Sequence, residues 1–137
     1  QAVDEPGRRG VLAANNGADA IVVSNHGGRQ LDGAPSSIAA LPAIVDAVGD
    51  RLEVWMDGGI RSGQDVLRAW ALGAKGTMIG RAMVYGLGAF GEAGVTKALQ
   101  IIHKELDVSM AFCGHTNLQN VDRSILVPGS YPVAPRG

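Results

Sequence analysis

The segment 24–29, which reads Ser-Asn-His-Gly-Gly-Arg, contains the first residues that could do chemistry. The imidazole of His26 can accept a proton from a substrate near neutral pH. The planar guanidinium of Arg29, three residues later, can bind a carboxylate through two parallel hydrogen bonds. Together the two side chains suit a 2-hydroxy acid. For an isolated pair, the alternative is a hydrogen-bonded turn histidine beside a surface arginine, but the neighbouring motifs favour the first interpretation.

Two later segments are typical of an anion site. Residues 57–62 read Asp-Gly-Gly-Ile-Arg-Ser, and Gly80 is followed by Arg81. Backbone N–H groups that glycine leaves accessible, at the start of a helix, attract a phosphate. The guanidinium groups of Arg61 and Arg81 add positive charge, and Asp57 can accept hydrogen bonds from sugar-like hydroxyls. The alternative is a tight turn beside two solvated arginines.

Each of these segments follows a short apolar run that predicts a β-strand. The three predicted strands are 20–24, 52–56 and 77–79. None alternates cleanly and each ends in a glycine-rich turn, as expected of parallel strands buried on both faces. Because such folds keep their active sites at the carboxyl ends of the strands, we expect the three segments to converge there.

Apolar residues at helical spacing predict helices between and after the strands. The predicted helices are 36–48, 62–72, 82–90 and 94–111. Ser36 or Ser37 can cap the first helix and Ser62 the second. The sequence therefore predicts three successive βα units and a final helix.

The two ends of the chain are less regular. Segment 5–16 is predicted to be a poor helix after its first turn, because Pro6, Gly7 and Gly10 fall within it. Beyond Gly114, prolines and glycines predict a loop that is partly disordered. We therefore divide the chain into a main part, 1–113, and a C-terminal tail, 114–137.

Composition limits the classes of protein that fit. The formal net charge is −1 and the charges are interspersed, so no nucleic-acid partner is expected. A single cysteine, Cys113, allows no internal disulfide, and beside His115 it falls short of a metal site. No apolar run approaches the roughly 20 residues needed to span a bilayer. We expect a cytoplasmic protein without a metal, and leave membrane association open.

Three βα units cannot close a (β/α)8 barrel, which requires eight. An open sheet of this size would leave long edges exposed, so either it is completed elsewhere or the chain is a fragment. In closed barrels the loops after the last two strands commonly bind a phosphate. The motifs match that position if the three strands are the sixth to eighth.

The three motifs, in this order and spacing, resemble the signatures of the FMN-dependent 2-hydroxy-acid oxidases and dehydrogenases. That family includes glycolate oxidase, L-lactate dehydrogenase, lactate oxidase and mandelate dehydrogenase. The resemblance runs from about Gly17 to about Gly114 and is greatest to the bacterial L-lactate dehydrogenases. It implies an α/β fold, the C-terminal portion of a (β/α)8 TIM barrel, which holds FMN.

The resemblance also implies roles for individual residues. His26 would be the active-site base, Arg29 would bind the substrate carboxylate, and Ser24 would touch the flavin. The residues implied to hold the FMN ribityl chain and phosphate are Asp57, Gly58, Gly59, Ile60, Arg61, Gly80 and Arg81. The implied reaction is oxidation of a small (S)-2-hydroxy acid to the 2-keto acid, with oxygen, a quinone or another carrier reoxidising the flavin. Members of the family are usually oligomers.

The sequence departs from the family pattern near its start. The family carries a lysine near the flavin on the strand before the histidine, but the ungapped counterpart is Ala2 and residues 1–4 contain no lysine. The family also draws residues that support substrate and histidine from the N-terminal half of its barrel. We therefore expect this chain alone to be inactive. The alternatives are a non-catalytic partial barrel that binds FMN or another phosphate-bearing ligand, and a different phosphate-binding barrel enzyme.

Overall fold

A computed structural model describes residues 6–131 of the 137-residue chain. Within that range, helices and strands alternate as the sequence predicts. The strands are β1 (Ala20–Val23), β2 (Glu53–Met56) and β3 (Gly76–Thr77). The helices are α1 (Pro6–Asn15), α2 (Ser37–Val48), α3 (Gly63–Ala71) and α4 (Arg81–Phe112). Short 3-10 turns occur at His26–Gly28, Leu118–Asn120 and Arg123–Ile125.

The three strands form one parallel sheet in the order β1-β2-β3. Val22 pairs with Trp55, and Trp55 pairs in turn with Gly76. β3 is shorter than predicted and begins one residue earlier, although the amide of Met78 still donates to the carbonyl of Met56 at 2.9 Å. The predicted parallel order is confirmed, and the carboxyl ends of all three strands lie at one edge of the sheet.

The sheet is covered on one face only among the described residues. Val54 and Met56 are buried against the helices, whereas Val22 and Trp55, on the opposite face, are 46% and 37% exposed. The prediction that the strands are buried on both faces is therefore wrong for this chain. Its physical reason is that α1, α2 and α3 supply the core on one side and no described element packs on the other.

Segment 5–16 was expected to be a poor helix, but residues 6–15 form α1. A Cβ on Gly7 would lie 2.8 Å from the Cβ of Ala47, and one on Gly10 would lie 3.1 Å from a methyl of Val48. The two glycines thus let α1 approach α2 closely. Packing against α2 outweighs the low helix propensity of glycine, which amounts to about 1 kcal/mol per residue.

The N-terminus of α3 is fixed by two carboxylates. Ser62 and Asp65 form a reciprocal capping box, in which each side chain accepts a hydrogen bond from the backbone of the other residue. The carboxylate of Glu105 on α4 accepts a hydrogen bond of 2.8 Å from the amide of Gly63. A Cβ on Gly63 would collide with the backbone of α4 at Glu105 and Leu106. The two helices are therefore locked together at the start of α3.

The last helix is two helices joined by a kink, as predicted. Phe90 and Gly91 have non-helical backbone angles, with φ of −143° and +60°. The two segments approach closely where Gly86 faces Gly94, since a Cβ on either residue would meet the backbone of the other. Among the residues that the structure describes, no helix is long and apolar enough to cross a membrane.

The segment 114–131 is a loop, as predicted, but it packs against the rest of the molecule. Val121 is buried beside α3, and Leu126 and Tyr131 contact the core. Arg123 forms an ion pair of 2.8 Å with Asp46 on α2. The expected disorder is therefore wrong for this segment. Residues 132–137 lie outside the described residues, and the division of the chain at residue 113 stays a prediction.

The contact between α3 and α4 predicts the effect of a Gly63→Ala substitution. The added methyl group meets α4 backbone that cannot move aside, so we expect a loss of about 1–3 kcal/mol in the free energy of unfolding. Gly88→Ala is the matched control because Gly88 lies in α4 with open space around its Cβ position. The free energy of unfolding of the Gly88→Ala variant should rise by about 0.5–1 kcal/mol. Urea denaturation of both variants measures the difference, and equal stabilities would contradict the close contact.

Candidate active site

The loops that follow the three strands line one cleft of about 870 Å³. The predicted site residues that line it are His26, Arg29, Asp57, Gly58, Gly59, Ile60, Arg61, Gly80 and Arg81. These positions span 56 residues of sequence, from His26 to Arg81. The parallel sheet thus brings the candidate base, the carboxylate ligand and the candidate anion loops to one place.

The loop after β1 holds His26 in an unusual backbone conformation. Its φ is +54°, and it is the only non-glycine residue with positive φ in the part of the chain that the structure describes. Gly27 and Gly28 follow with φ of +69° and +71°. The amide of His26 donates to the hydroxyl of Ser24 at 3.1 Å. This tight turn leaves the imidazole and the Arg29 side chain exposed at the cleft.

Ser24 lies at the base of this turn. It does not line the cleft, and its hydroxyl is engaged with the amide of His26. The structure therefore gives Ser24 a contact that supports the turn, and its predicted contact with flavin stays a prediction.

The loop after β2 is shaped by two glycines in the left-handed region. Gly58 and Gly59 both have φ of +84°, and no atom lies within 4 Å of the place where a Cβ of Gly59 would be. The backbone of Gly59 is therefore open to a ligand. Ile60 borders the cleft, but it is buried and its side chain belongs to the core.

The amides at the start of α3 are already occupied. Asp65 accepts hydrogen bonds of 3.0 Å from the amides of both Arg61 and Ser62, and Glu105 takes the amide of Gly63. Side chains of the protein itself thus cap this helix end. The phosphate site expected at segment 57–62 stays a prediction. The guanidinium of Arg61 remains exposed at the cleft.

The start of α4 differs from the start of α3. Its N-cap is Gly80, which has no side chain that could accept a hydrogen bond from the first turn. That turn also carries no acidic residue. No atom lies within 4 Å of the Cβ position of Gly80. The first-turn amides of α4 lie at the positive end of its helix dipole, and Gly80 and Arg81 both line the cleft. A phosphate site here stays a prediction.

One carboxylate oxygen of Asp57 is buried without a hydrogen-bond donor among the described residues. Oδ1 is inaccessible and makes no hydrogen bond with any described residue. Buried carboxylate oxygens are normally paired, and a ligand hydroxyl in the cleft would satisfy this one. The observation fits the predicted contact of Asp57 with a polyhydroxyl chain.

Sequence reasoning missed polar residues that line the same cleft, among them Asn25 and Ser37. Asn25 belongs to the motif of His26 and Arg29, but an amide side chain carries neither the basic nitrogen of the one nor the charge of the other. The sequence around Ser37 indicates only a helix cap. The cap position is in fact Ser36, whose side chain makes no capping hydrogen bond, and Ser37 is the first residue of α2.

His103, Cys113 and His115 do not line the cleft. His103 lies exposed on α4, and Cys113 and His115 lie beyond its end. Within residues 6–131, no group of three or more histidine, cysteine or acidic side chains could hold a metal ion.

Comparison with known proteins gives consistent matches. The model of the family "FMN-dependent dehydrogenase" matches residues 9–128. L-lactate dehydrogenase of Caulobacter vibrioides is 60% identical over 114 residues, which are 83% of this chain and 30% of that protein. L-lactate oxidase of a Nostoc species is 53% identical over 114 residues, 83% of this chain and 31% of that protein.

A solved structure of mandelate oxidase superimposes with a TM-score of 0.81 at 45% identity. The match covers 85% of this chain and 36% of that structure. The chain thus spans about a third of the length of the relatives that it matches. The three βα units correspond to part of the TIM barrel of those proteins, so the predicted fold class is confirmed. The chain belongs to the FMN-dependent dehydrogenase family.

Proposed function

We propose that this chain supplies the cofactor- and substrate-binding loops of an enzyme that oxidises a small (S)-2-hydroxy acid, such as L-lactate or glycolate, to the 2-keto acid. The observation that carries the proposal is the shared cleft. His26, Arg29, Arg61 and Arg81 all line it, together with Gly80 at the uncapped start of α4. Activity would require the remainder of the barrel. The match covers only 30% of the L-lactate dehydrogenase and 36% of the mandelate oxidase structure.

The cleft residues fit FMN. Arg61, Arg81 and the backbone at Gly80 would hold the phosphate, since all three residues line the cleft and the space at the Cβ position of Gly80 is open. The open backbone of Gly59 would allow close approach, and the unpaired oxygen of Asp57 would accept a ribityl hydroxyl. When bound, FMN supplies the two-electron acceptor for the oxidation.

Arg29 and His26, which also line the cleft, would bind and deprotonate the substrate. Arg29 binds the carboxylate and so fixes the orientation of C2. An imidazole nitrogen of His26 would accept the proton of the 2-hydroxyl group as the carbonyl forms, and the C2 hydrogen with its electron pair would go to the two-electron acceptor that FMN supplies. The left-handed turn presents the imidazole away from the sheet, where a bound substrate can reach it.

The curated relatives favour lactate as the substrate. L-lactate dehydrogenases and an L-lactate oxidase are 53–61% identical to this chain, whereas the mandelate oxidase structure is 45% identical. The electron acceptor, whether oxygen, a quinone or another carrier, stays open. A homo-oligomer, or a complex with the remainder of the barrel, is the assembly that we propose. A cytoplasmic location stays a prediction.

A non-catalytic partial barrel that binds FMN or another phosphate-bearing ligand is the second candidate. The exposed sheet face with Val22 and Trp55 favours it, because the chain alone does not enclose its cleft. The lysine position near Ala2, which also bears on this choice, lies outside the described residues. The two candidates differ in whether the cleft can oxidise a substrate once the barrel is complete.

A chimera tests the catalytic proposal. The matching 114-residue segment of the Caulobacter vibrioides L-lactate dehydrogenase is replaced by the corresponding residues of this chain. We expect L-lactate to bleach the flavin absorbance of the purified chimera under anaerobic conditions. His26→Asn should slow this reduction about 100- to 10,000-fold, the usual contribution of a general base.

His103→Asn is the matched control, because it makes the same change on the exposed surface of α4. In this variant, L-lactate should reduce the flavin as fast as in the unsubstituted chimera. A chimera that binds FMN but is never bleached would support the non-catalytic candidate. Equal rates in the two histidine variants would contradict the role of His26.

The phosphate assignment predicts a selective loss of affinity. In the apo-chimera, Arg61→Gln and Arg81→Gln should each weaken FMN binding about 10- to 100-fold, because each removes a charged hydrogen bond. Riboflavin, which lacks the phosphate, should bind all variants alike. Lys75→Gln is the control, since Lys75 precedes β3 at the opposite edge of the sheet. Fluorescence titration measures each affinity, and an equal loss for FMN and riboflavin would contradict the assignment.

A further inference from the structure

Three parts of the chain converge on Gly58, in the loop after β2. A Cβ on Gly58 would lie 2.9 Å from Oδ1 of Asn25 and equally 2.9 Å from Oγ of Ser37. Asn25 belongs to the turn that carries His26, and Ser37 begins α2. We call Asn25, Ser37 and Gly58 together the joint. It lies where the candidate substrate loop meets the candidate cofactor loop.

Asn25 uses both ends of its side-chain amide. Oδ1 accepts a hydrogen bond of 3.0 Å from the amide of Gly27, and Nδ2 donates to the carbonyl of Pro35 at 3.3 Å. Its backbone carbonyl also accepts from the amide of Gly28 at 2.9 Å. One residue thus closes the turn and ties it to the segment that leads into α2.

These bonds surround a strained residue. Positive φ is uncommon for a residue with a Cβ and persists where the surrounding structure holds it. His26, between Asn25 and Gly27, is such a residue. The hydrogen bond from Gly27 to Asn25 spans His26 and so fixes the direction in which its side chain leaves the backbone.

Ser37 contributes a buried hydroxyl. The residue is 3% exposed, and its Oγ makes no hydrogen bond with any described residue. Next to Gly58, Asp57 carries the other buried oxygen without a partner. A hydroxyl buried only for packing would favour replacement by alanine, because an unpaired polar group is costly. Here the hydroxyl borders the Cβ position of Gly58, as Oδ1 of Asn25 does, so the two side chains enclose this glycine.

We infer that Asn25 and Ser37 are positioning residues that lock the His26 turn to the Asp57–Gly59 loop across Gly58. This inference rests on the proposed function for its catalytic consequence. The joint sets the position of the imidazole relative to the loop that would hold the cofactor. Neither side chain is required to touch the substrate.

Hydrogen exchange in the 137-residue chain tests the joint without any cofactor. Asn25→Ala should speed exchange at the amides of Gly27 and Gly28 about three- to tenfold, as expected for the loss of a hydrogen bond. Ser37→Ala should speed exchange in the same turn. Ser36→Ala is the matched control, since Ser36 is exposed and makes no side-chain hydrogen bond at the cap, and it should leave the turn unchanged.

Kinetics of the holo-chimera separate positioning from stability. Asn25→Ala should lower kcat for L-lactate about 10- to 100-fold, because a small misplacement of a reacting group is costly. Its FMN content and KM should change less than about threefold, since the carboxylate and phosphate ligands stay in place. Asn25→Asp, which keeps the acceptor for Gly27 but loses the donor to Pro35, should show a smaller loss. The Asn25→Asp variant replaces Asn25→Ala in this test if the alanine variant does not fold.

Several outcomes would overturn the inference. If Ser37→Ala matches Ser36→Ala in both exchange and kcat, Ser37 is only a packed residue. If both Asn25 variants keep the exchange pattern and kcat of the unsubstituted protein, the joint does not position His26. A chimera that never oxidises L-lactate would refute the proposed function, while the exchange measurements would still decide whether the joint exists.

Discussion

β1, β2 and β3 pair in parallel, and this pairing decides where the loops of the candidate site lie. Because each strand runs in the same direction, each must be followed by a helix that returns the chain to the opposite edge. The three loops that leave the carboxyl ends therefore meet at one edge, although far apart in sequence. A residue of one loop can then act together with residues of another, and the cleft between His26 and Arg81 is the result.

The same pairing explains the exposed face of the sheet. Side chains alternate along each strand, so Val54 and Met56 face the helices while Trp55 faces away with Val22 beside it. In a closed barrel the second face is the interior and is filled by side chains from every strand. The apolar composition of these strands therefore fits the whole barrel of the relatives, of which this chain spans about a third.

Much of the fold and site could be predicted because it depends on local pattern. The strand order, the covering helices and the kink near Gly91 follow from apolar spacing and glycine positions. What failed depends on contacts between distant residues. Gly7 and Gly10 weaken an isolated helix, yet they form the contact surface of α1 against Ala47 and Val48 of α2. The sequence around α1 does not show which helix lies opposite, so propensity alone gave the wrong answer.

The two anion loops show the same limit in the site itself. In the sequence, the segments around Arg61 and Arg81 look equivalent, since each places glycine and arginine before a helix. In the structure, Asp65 and Glu105 take the amides at the start of α3, and their negative charges would also repel a phosphate. No acidic side chain stands in the first turn of α4. Glu105 lies 42 residues from Gly63, so only the packing of α4 on α3 shows that the amide at the start of α3 already has a partner.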